Sequence, residues 1–294
     1  MSDKDVVEEA IRLRNQHTAE ALAQCIQKHA PHIEETIEKV VKWVGDSMPK
    51  LAPVVAWAAS VDWKRVQERL DNFPDVSSEA MKVASREGWF FNWLGAFDDV
   101  LVLSESIKAA SSADEIDQLL TAHYNDYWDH YAGLLAEKYP ARKTAIHAAV
   151  SAHRDFAPSG YSLSIPVFLA QADGIFSEVT GTPSAMDKIR GGAIKGSQWL
   201  SEQIGTDEEA IGCLVPVLQL HELDILMNQR QREAKAQETG KVFDALNRHQ
   251  VMHGEVSDYG TEINSLKAFS FLLFVALHVP EILADAKRRA AEEA

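Results

Sequence analysis

Ala268-Phe269-Ser270-Phe271-Leu272-Leu273-Phe274-Val275-Ala276-Leu277-His278-Val279-Pro280-Glu281-Ile282-Leu283-Ala284 is the longer of the two most apolar runs in the chain. Ser270, His278 and Glu281 interrupt it, and polar groups in a lipid-facing helix are costly, so it reads as a buried helix rather than a bilayer span. The wider pattern predicts a helix from Ile263 to Ala290, bent or restarted at Pro280, because proline breaks the hydrogen-bond ladder and crowds the preceding turn. A helix apolar on most of its sides must be surrounded by other elements. Nearly every other segment has helical spacing, and none alternates as a strand does. The fold class expected is all-α, with a helical N-terminal region packed on a C-terminal helical bundle.

Working back along the chain, Asp258-Tyr259-Gly260-Thr261 reads as a turn. Lys241 to His253 reads as a helix that Gly254 closes, since glycine takes the left-handed conformation helices often end on. Asp207 to Lys235 reads as one long helix kinked or divided at Pro216, Ser164 to Val179 as a helix with Pro166 in its first turn, and Gly191-Gly192 and Gly205 as loops. Pro158-Ser159-Gly160 is the clearest punctuation in mid-chain and sets a boundary between residues 1–157 and 158–294. In the first part, Ser112-Ala113-Asp114-Glu115 resembles a capping box opening a helix to about Lys138, and a further helix follows Tyr139-Pro140. Val6 to Lys28, Ile33 to Val44 and Val61 to Leu70 have helical spacing, Ser77-Ser78-Glu79 looks like a helix start, and Gly88 to Leu94 is an aromatic knot.

The 294 residues are 46% hydrophobic and 25% charged, with a formal net charge of −15. Such a chain folds to a globule, and its charge argues against broad, non-specific nucleic-acid binding through many phosphate contacts. Cys25 and Cys213 are the only cysteines, which gives no disulfide framework. Leu51 to Ala59 is too short to span a bilayer. The polar N-terminus, Met1 to Asp5, has no signal-peptide pattern. A cytoplasmic location with no membrane partner is expected.

Polarity concentrates just before the last helix, in Asn247-Arg248-His249-Gln250-Val251-Met252-His253-Gly254. Arginine binds phosphate through a planar fork of donors, and histidine exchanges protons near neutral pH. Together they are the minimum for cutting a phosphodiester without metal. Arg-x4-His occurs three times, at Arg12/His17, Arg142/His147 and Arg248/His253. In a continuous helix that step turns through roughly 500°, so the side chains diverge unless the helix ends or a partner completes the site. Only the third pair has a glycine stop and polar neighbours.

Arg248-His249-x3-His253 resembles the Arg-polar-x-His signature of HEPN domains. The helix carrying it, the stop at Gly254 and the apolar helix beyond are also similar, over the residues from Ser164 onward. The resemblance implies an all-α bundle that dimerises, with Arg and His of two protomers facing one cleft. It implies a metal-independent endoribonuclease of a toxin–antitoxin or defence system, or an inactive nucleotide- or partner-binding module. By position, Arg248 would hold the scissile phosphate, His253 would be general acid or base, and His249 and Asn247 would orient them. RNA, a second copy of the chain and an antitoxin or regulatory protein are the partners implied; no cofactor or metal is called for.

Asp173 lies in an apolar stretch beside Phe168, Leu169, Ile175 and Phe176. A buried carboxylate needs a partner, so Asp173 either pairs with Arg248 or a motif histidine, or sits on a helix surface with Gly174 allowing close packing. His123, Asp126 and His130, with Asp129 nearby, have metal-ligand spacing on one helix face, against a more ordinary reading as polar tips of an aromatic interface. Arg230, Arg232, Lys235 and Lys241 would either guide RNA phosphates or form a solvated, ion-paired face. His221-Glu222-Leu223-Asp224 reads as an exposed polar stretch.

Overall fold

The computed structural model describes residues 39, 42, 60–190 and 192–292. The expectations for Val6 to Lys28, most of Ile33 to Val44, Leu51 to Ala59, the N-terminal lead, Cys25 and the Arg12/His17 pair lie outside these residues. Among those described there is no strand, only an isolated bridge between Lys188 and Ile194. The protein is all-α.

The helices are α1 (Trp63–Arg86), α2 (Phe97–Ala109), α3 (Ala113–Asp126), α4 (Trp128–Lys138), α5 (Lys143–Asp155), α6 (Tyr161–Thr180), α7 (Lys195–Ile204), α8 (Glu208–Leu218), α9 (Gln229–Thr239), α10 (Arg248–His253), α11 (Glu262–Leu273) and α12 (Val279–Glu292). The chain divides into two compact units: one holds residues 1–74 and 95–99, the other 75–94 and 100–294. In the first, the rings of Phe73 and Phe97 meet edge to face at 5.1 Å. The second carries everything below.

Its centre is α11, packed along α6, which in turn packs on α5. Phe269 lies against Trp128 and Phe168, at 4.2 and 5.1 Å between ring centroids, and Phe271 against Phe90 at 4.4 Å. The helical run Glu262–Glu292 is long and apolar enough to cross a membrane, yet 83% of its apolar window is buried inside the protein. It is the core helix its sequence predicts.

Prolines shape this core in a consistent way. Each in-helix proline leaves the carbonyl four residues earlier without its N–H partner. For Pro280 that carbonyl is Ala276, and the Tyr139 hydroxyl donates to it at 2.8 Å. For Pro166 it is Ser162, which accepts from the Tyr259 hydroxyl at 3.2 Å. For Pro216 it is Gly212, which accepts from Ser78 Oγ at 3.1 Å. At each of these three prolines of the second unit the orphaned carbonyl is satisfied from a distant element; a fourth in-helix proline, Pro74, lies in the first unit. Just before Pro280 the helix widens into a π turn, Phe274–His278.

Several local readings change. Residue 157 falls inside the second unit, and Pro158 lies in a turn between α5 and α6, which pack together. Ser77 is buried within α1 rather than starting a helix. Ser112 does cap α3, accepting from the Glu115 N–H at 3.3 Å, but Glu115 returns its carboxylate to Ser111. That helix stops at Asp126, and α4 restarts after Tyr127. The expected helix 207–235 is α8 and α9 with a turn between them. The expected helix 241–253 is helical only from Arg248.

Candidate functional site

The late start of α10 comes from Asn247. Its side chain is buried, and Oδ1 caps the helix by accepting from the Gln250 N–H at 3.1 Å. Nδ2 donates to the carbonyls of Asp224 at 2.6 Å and Met227 at 3.0 Å. Asx side chains compete with helix in this way, which favours them at caps over interiors. With its amide fully occupied, Asn247 fixes where α10 begins and has nothing left for a substrate. Gly254, in the left-handed region at φ 68°, ends the helix.

Arg248 is therefore the first residue of α10, not one late in a longer helix, and His253 is the last. Arg248 turns toward α6 and pairs through Nη2 with Asp173 Oδ2; both side chains are 23% exposed. The pairing is single-pronged, because Arg248 Nε and Asp173 Oδ1 are both buried without a hydrogen-bond partner. Of the two readings of Asp173, the ion pair with Arg248 is the one found. Gly174 has its own task. A Cβ there would come within 2.8 Å of Arg142 Nη1, and Arg142 also reaches Gln171 and Glu178. The arginine of the second Arg-x4-His pair is thus bound to α6 structurally.

His249 and His253, one turn apart, lie on a common face as i, i+4 residues do. Their rings are 4.4 Å apart between centroids, and both residues are exposed. Glu255 Oε1 contacts His249 Nε2 at 2.9 Å. Glu255 Oε2 accepts from Arg232 Nη2 at 2.7 Å, and Arg232 Nη1 reaches Asn247 Oδ1 at 3.2 Å. Arg248 and His253 make no contact in one chain, as the angular step along a helix requires. What α10 presents outward is an imidazole pair beside a carboxylate, with the arginine on the flank turned toward α6.

Glu255 is a site residue that the sequence reading does not single out, and Arg232, expected as one of a phosphate-guiding basic group, is instead bound to Glu255 and Asn247. Glu255 follows the helix stop, beyond the motif, and Arg232 is brought back by the 3-10 turn Asp224–Leu226 and α9. Arg232 is buried, and Lys235 forms an ion pair with Asp224 at 2.7 Å. Half of the expected basic group is therefore structural, and only Arg230 and Lys241 are exposed.

The metal reading of His123, Asp126 and His130 fails on geometry. The helix breaks at Tyr127, and buried His123 shares a 2.9 Å hydrogen bond with the Tyr131 hydroxyl. Among the described residues no group of three His, Cys, Asp or Glu is placed to hold a metal ion. His221 lies beside Glu222 at 3.4 Å, partly exposed. Comparison of the chain with protein-family models, with curated proteins and with solved structures finds no match.

Proposed function

We propose that this protein is a metal-independent endoribonuclease of the HEPN type, with α10 as its working element. The observation that carries the reading is the exposed His249/His253 pair, 4.4 Å apart, on a helix that begins with an arginine oriented by Asp173. RNA brings its own nucleophile, the 2′-hydroxyl. One imidazole removes its proton, the oxygen attacks the adjacent phosphorus, and the other imidazole protonates the departing 5′ oxygen. The products are a 2′,3′-cyclic phosphate and a 5′-hydroxyl. A single imidazole serves both ends poorly, and here one chain presents two. Glu255 occupies Nε2 of His249, which leaves Nδ1 for substrate, and His253 takes the complementary role. Acid–base help of this kind is worth about 10²–10⁴-fold, and a guanidinium stabilises the charge that builds on the non-bridging oxygens.

Arg248 lies on the other flank of α10 from His253, so a second copy is the natural way to bring a guanidinium to the imidazole pair. Apolar surface for such a contact is present at Met252, 42% exposed, and Val242, 88% exposed. A second reading, a catalytically silent nucleotide- or partner-binding module, is favoured by one feature: the Arg248 charge is already met by Asp173.

RNA cleavage in EDTA separates the two. Wild type is expected to cut, with His253→Ala and Arg248→Ala each losing most of the rate. Equal cleavage by wild type and His253→Ala removes the nuclease reading. Absence of cleavage together with retained RNA or partner binding establishes the silent module.

A further inference from the structure

A cleft of about 230 Å³ opens where α3 and α4, the end of α5 and the starts of α6 and α11 meet. His153, Trp128, Tyr161, Arg154, Asn125 and Glu262 line it. Its volume is below the ~300–1,000 Å³ typical of sites for drug-sized molecules, which suits a single ring system.

The deepest polar group is His153, only 6% exposed. Its ring lies between Trp128, stacked at 4.2 Å, and Tyr161 at 5.0 Å. Nδ1 meets Ser265 Oγ at 2.8 Å, Ser265 Oγ meets Ser164 Oγ at 2.7 Å, and Ser164 Oγ donates to the Tyr161 carbonyl at 3.1 Å. Each hydroxyl has one proton. The Ser164 proton goes to the carbonyl, so Ser265 donates to Ser164 and His153 Nδ1–H donates to Ser265. Nε2 is then a bare lone pair on a ring that lines the cleft. Burial pushes the His153 pKa down to about 4, which keeps the ring neutral. Glu262 brings a second acceptor at the rim: Oε1 accepts from Asn125 Nδ2 at 3.2 Å, and the second oxygen is open. Arg154, paired with Asp129 through Nη1, is 54% exposed and adds a cation.

Two acceptors, the half-buried Tyr161 ring and a rim cation call for a flat ligand with adjacent N–H donors and an anion. Among the RNA bases only guanine offers two neighbouring donors, N1–H and the N2 amino group. Adenine would set its N1 lone pair against the carboxylate, and a site built to accept hydrogen bonds rejects a ligand that cannot donate them. Unstacked RNA bases are commonly read in this way, by an aromatic face and their Watson–Crick edge. We propose that this cleft binds a guanine base, which donates to the Glu262 carboxylate and His153 Nε2, while Arg154 meets its phosphate. This deepens the nuclease reading by naming the base the RNA strand presents, and rests on it only for the source of that base.

The test titrates the intact protein with 5′-GMP, guanosine, AMP and UMP, following heat or Trp fluorescence. GMP is expected to bind at least ~10-fold more tightly than AMP or UMP, from the weight of a hydrogen bond to a charged group. Glu262→Gln, at an exposed position, should weaken GMP by a similar factor. Arg154→Ala should weaken GMP and leave guanosine unchanged. Equal binding of all four, or GMP binding unaltered in Glu262→Gln, overturns the assignment. Cleavage of RNA by a protein that does not bind GMP overturns the guanine site and leaves the nuclease standing. GMP binding without cleavage supports the cleft and removes the nuclease.

Discussion

His153 and His253 carry the same ring into opposite settings. His153 is packed between Trp128 and Tyr161, with one nitrogen committed to a chain of serine hydroxyls. His253 ends a six-residue helix in solvent, beside a second imidazole. The first region is held by large buried rings and by the hydrogen-bonded chain from His153 through Ser265 to Ser164. The second is held at its start by Asn247 and ended by Gly254, and its histidines make few contacts of their own. Stability resides in the α5–α6–α11 core, and the groups suited to proton transfer sit on a short helix attached to it. Substitutions in the two regions should therefore fail differently.

The largest expected effect is on rate. His253→Ala should lower RNA cleavage by about 10²–10⁴-fold and leave the denaturation midpoint nearly unchanged, as an exposed substitution does. A large loss of stability in that variant would erase the distinction between the regions. The reverse case is Phe269→Ala. It removes a fully buried ring lying against both Trp128 and Phe168 and should cost about 3–5 kcal/mol, read by urea titration.

Asn247→Ala lies between these extremes. It removes the cap of α10, one of the two hydrogen bonds to the Asp224 carbonyl and one Arg232 contact, for about 2 kcal/mol in all. Because it frees the start of α10, cleavage should fall with it, although Asn247 has no group left to touch RNA. Activity unchanged at that level of destabilisation would show that the position of α10 does not matter.

Acid sharpens the comparison further. Burial lowers both His153 and His278 to about 4, against an ordinary value of 6.5. Between those values the unfolded chain takes up protons that the folded chain refuses. The stability present above pH 6.5 is therefore lost progressively as pH falls toward 4. Melting temperatures measured across pH 7 to 4 should decline, and the decline should be shallower in His278→Gln, which keeps a side-chain amide near the Cys213 carbonyl. The smallest effect belongs to Tyr259→Phe. It returns the Ser162 carbonyl to its unpaired state above Pro166 and should cost about 1 kcal/mol.

Helical periodicity makes the fold class legible, and the helix start at Ser112 and the helix stop at Gly254 are legible because capping depends on near neighbours, although Glu115 turns to Ser111 and the helix from Ser112 ends at Asp126. Asn247 shows the limit. Its spacing suited a helix interior, but its amide found the carbonyls of Asp224 and Met227, which no local window contains. The same holds for Arg232 and Arg142, whose positive charges look free in sequence and are bound in the structure. Pro158 lies in a turn, since proline and glycine mark a change of direction whether or not a domain ends there.

The amino-acid sequence determined that the chain is helical, where the apolar faces lie, and that one short stretch combines a guanidinium with two imidazoles. Those properties follow from side-chain periodicity and from the chemistry of each residue alone. Only the tertiary structure decided that Arg248 faces Asp173, that the two histidines stand together, and that His153 keeps one lone pair open to a cleft. Each of these depends on which distant group reaches a polar atom first, and burial, which sets that competition, belongs to the folded chain as a whole.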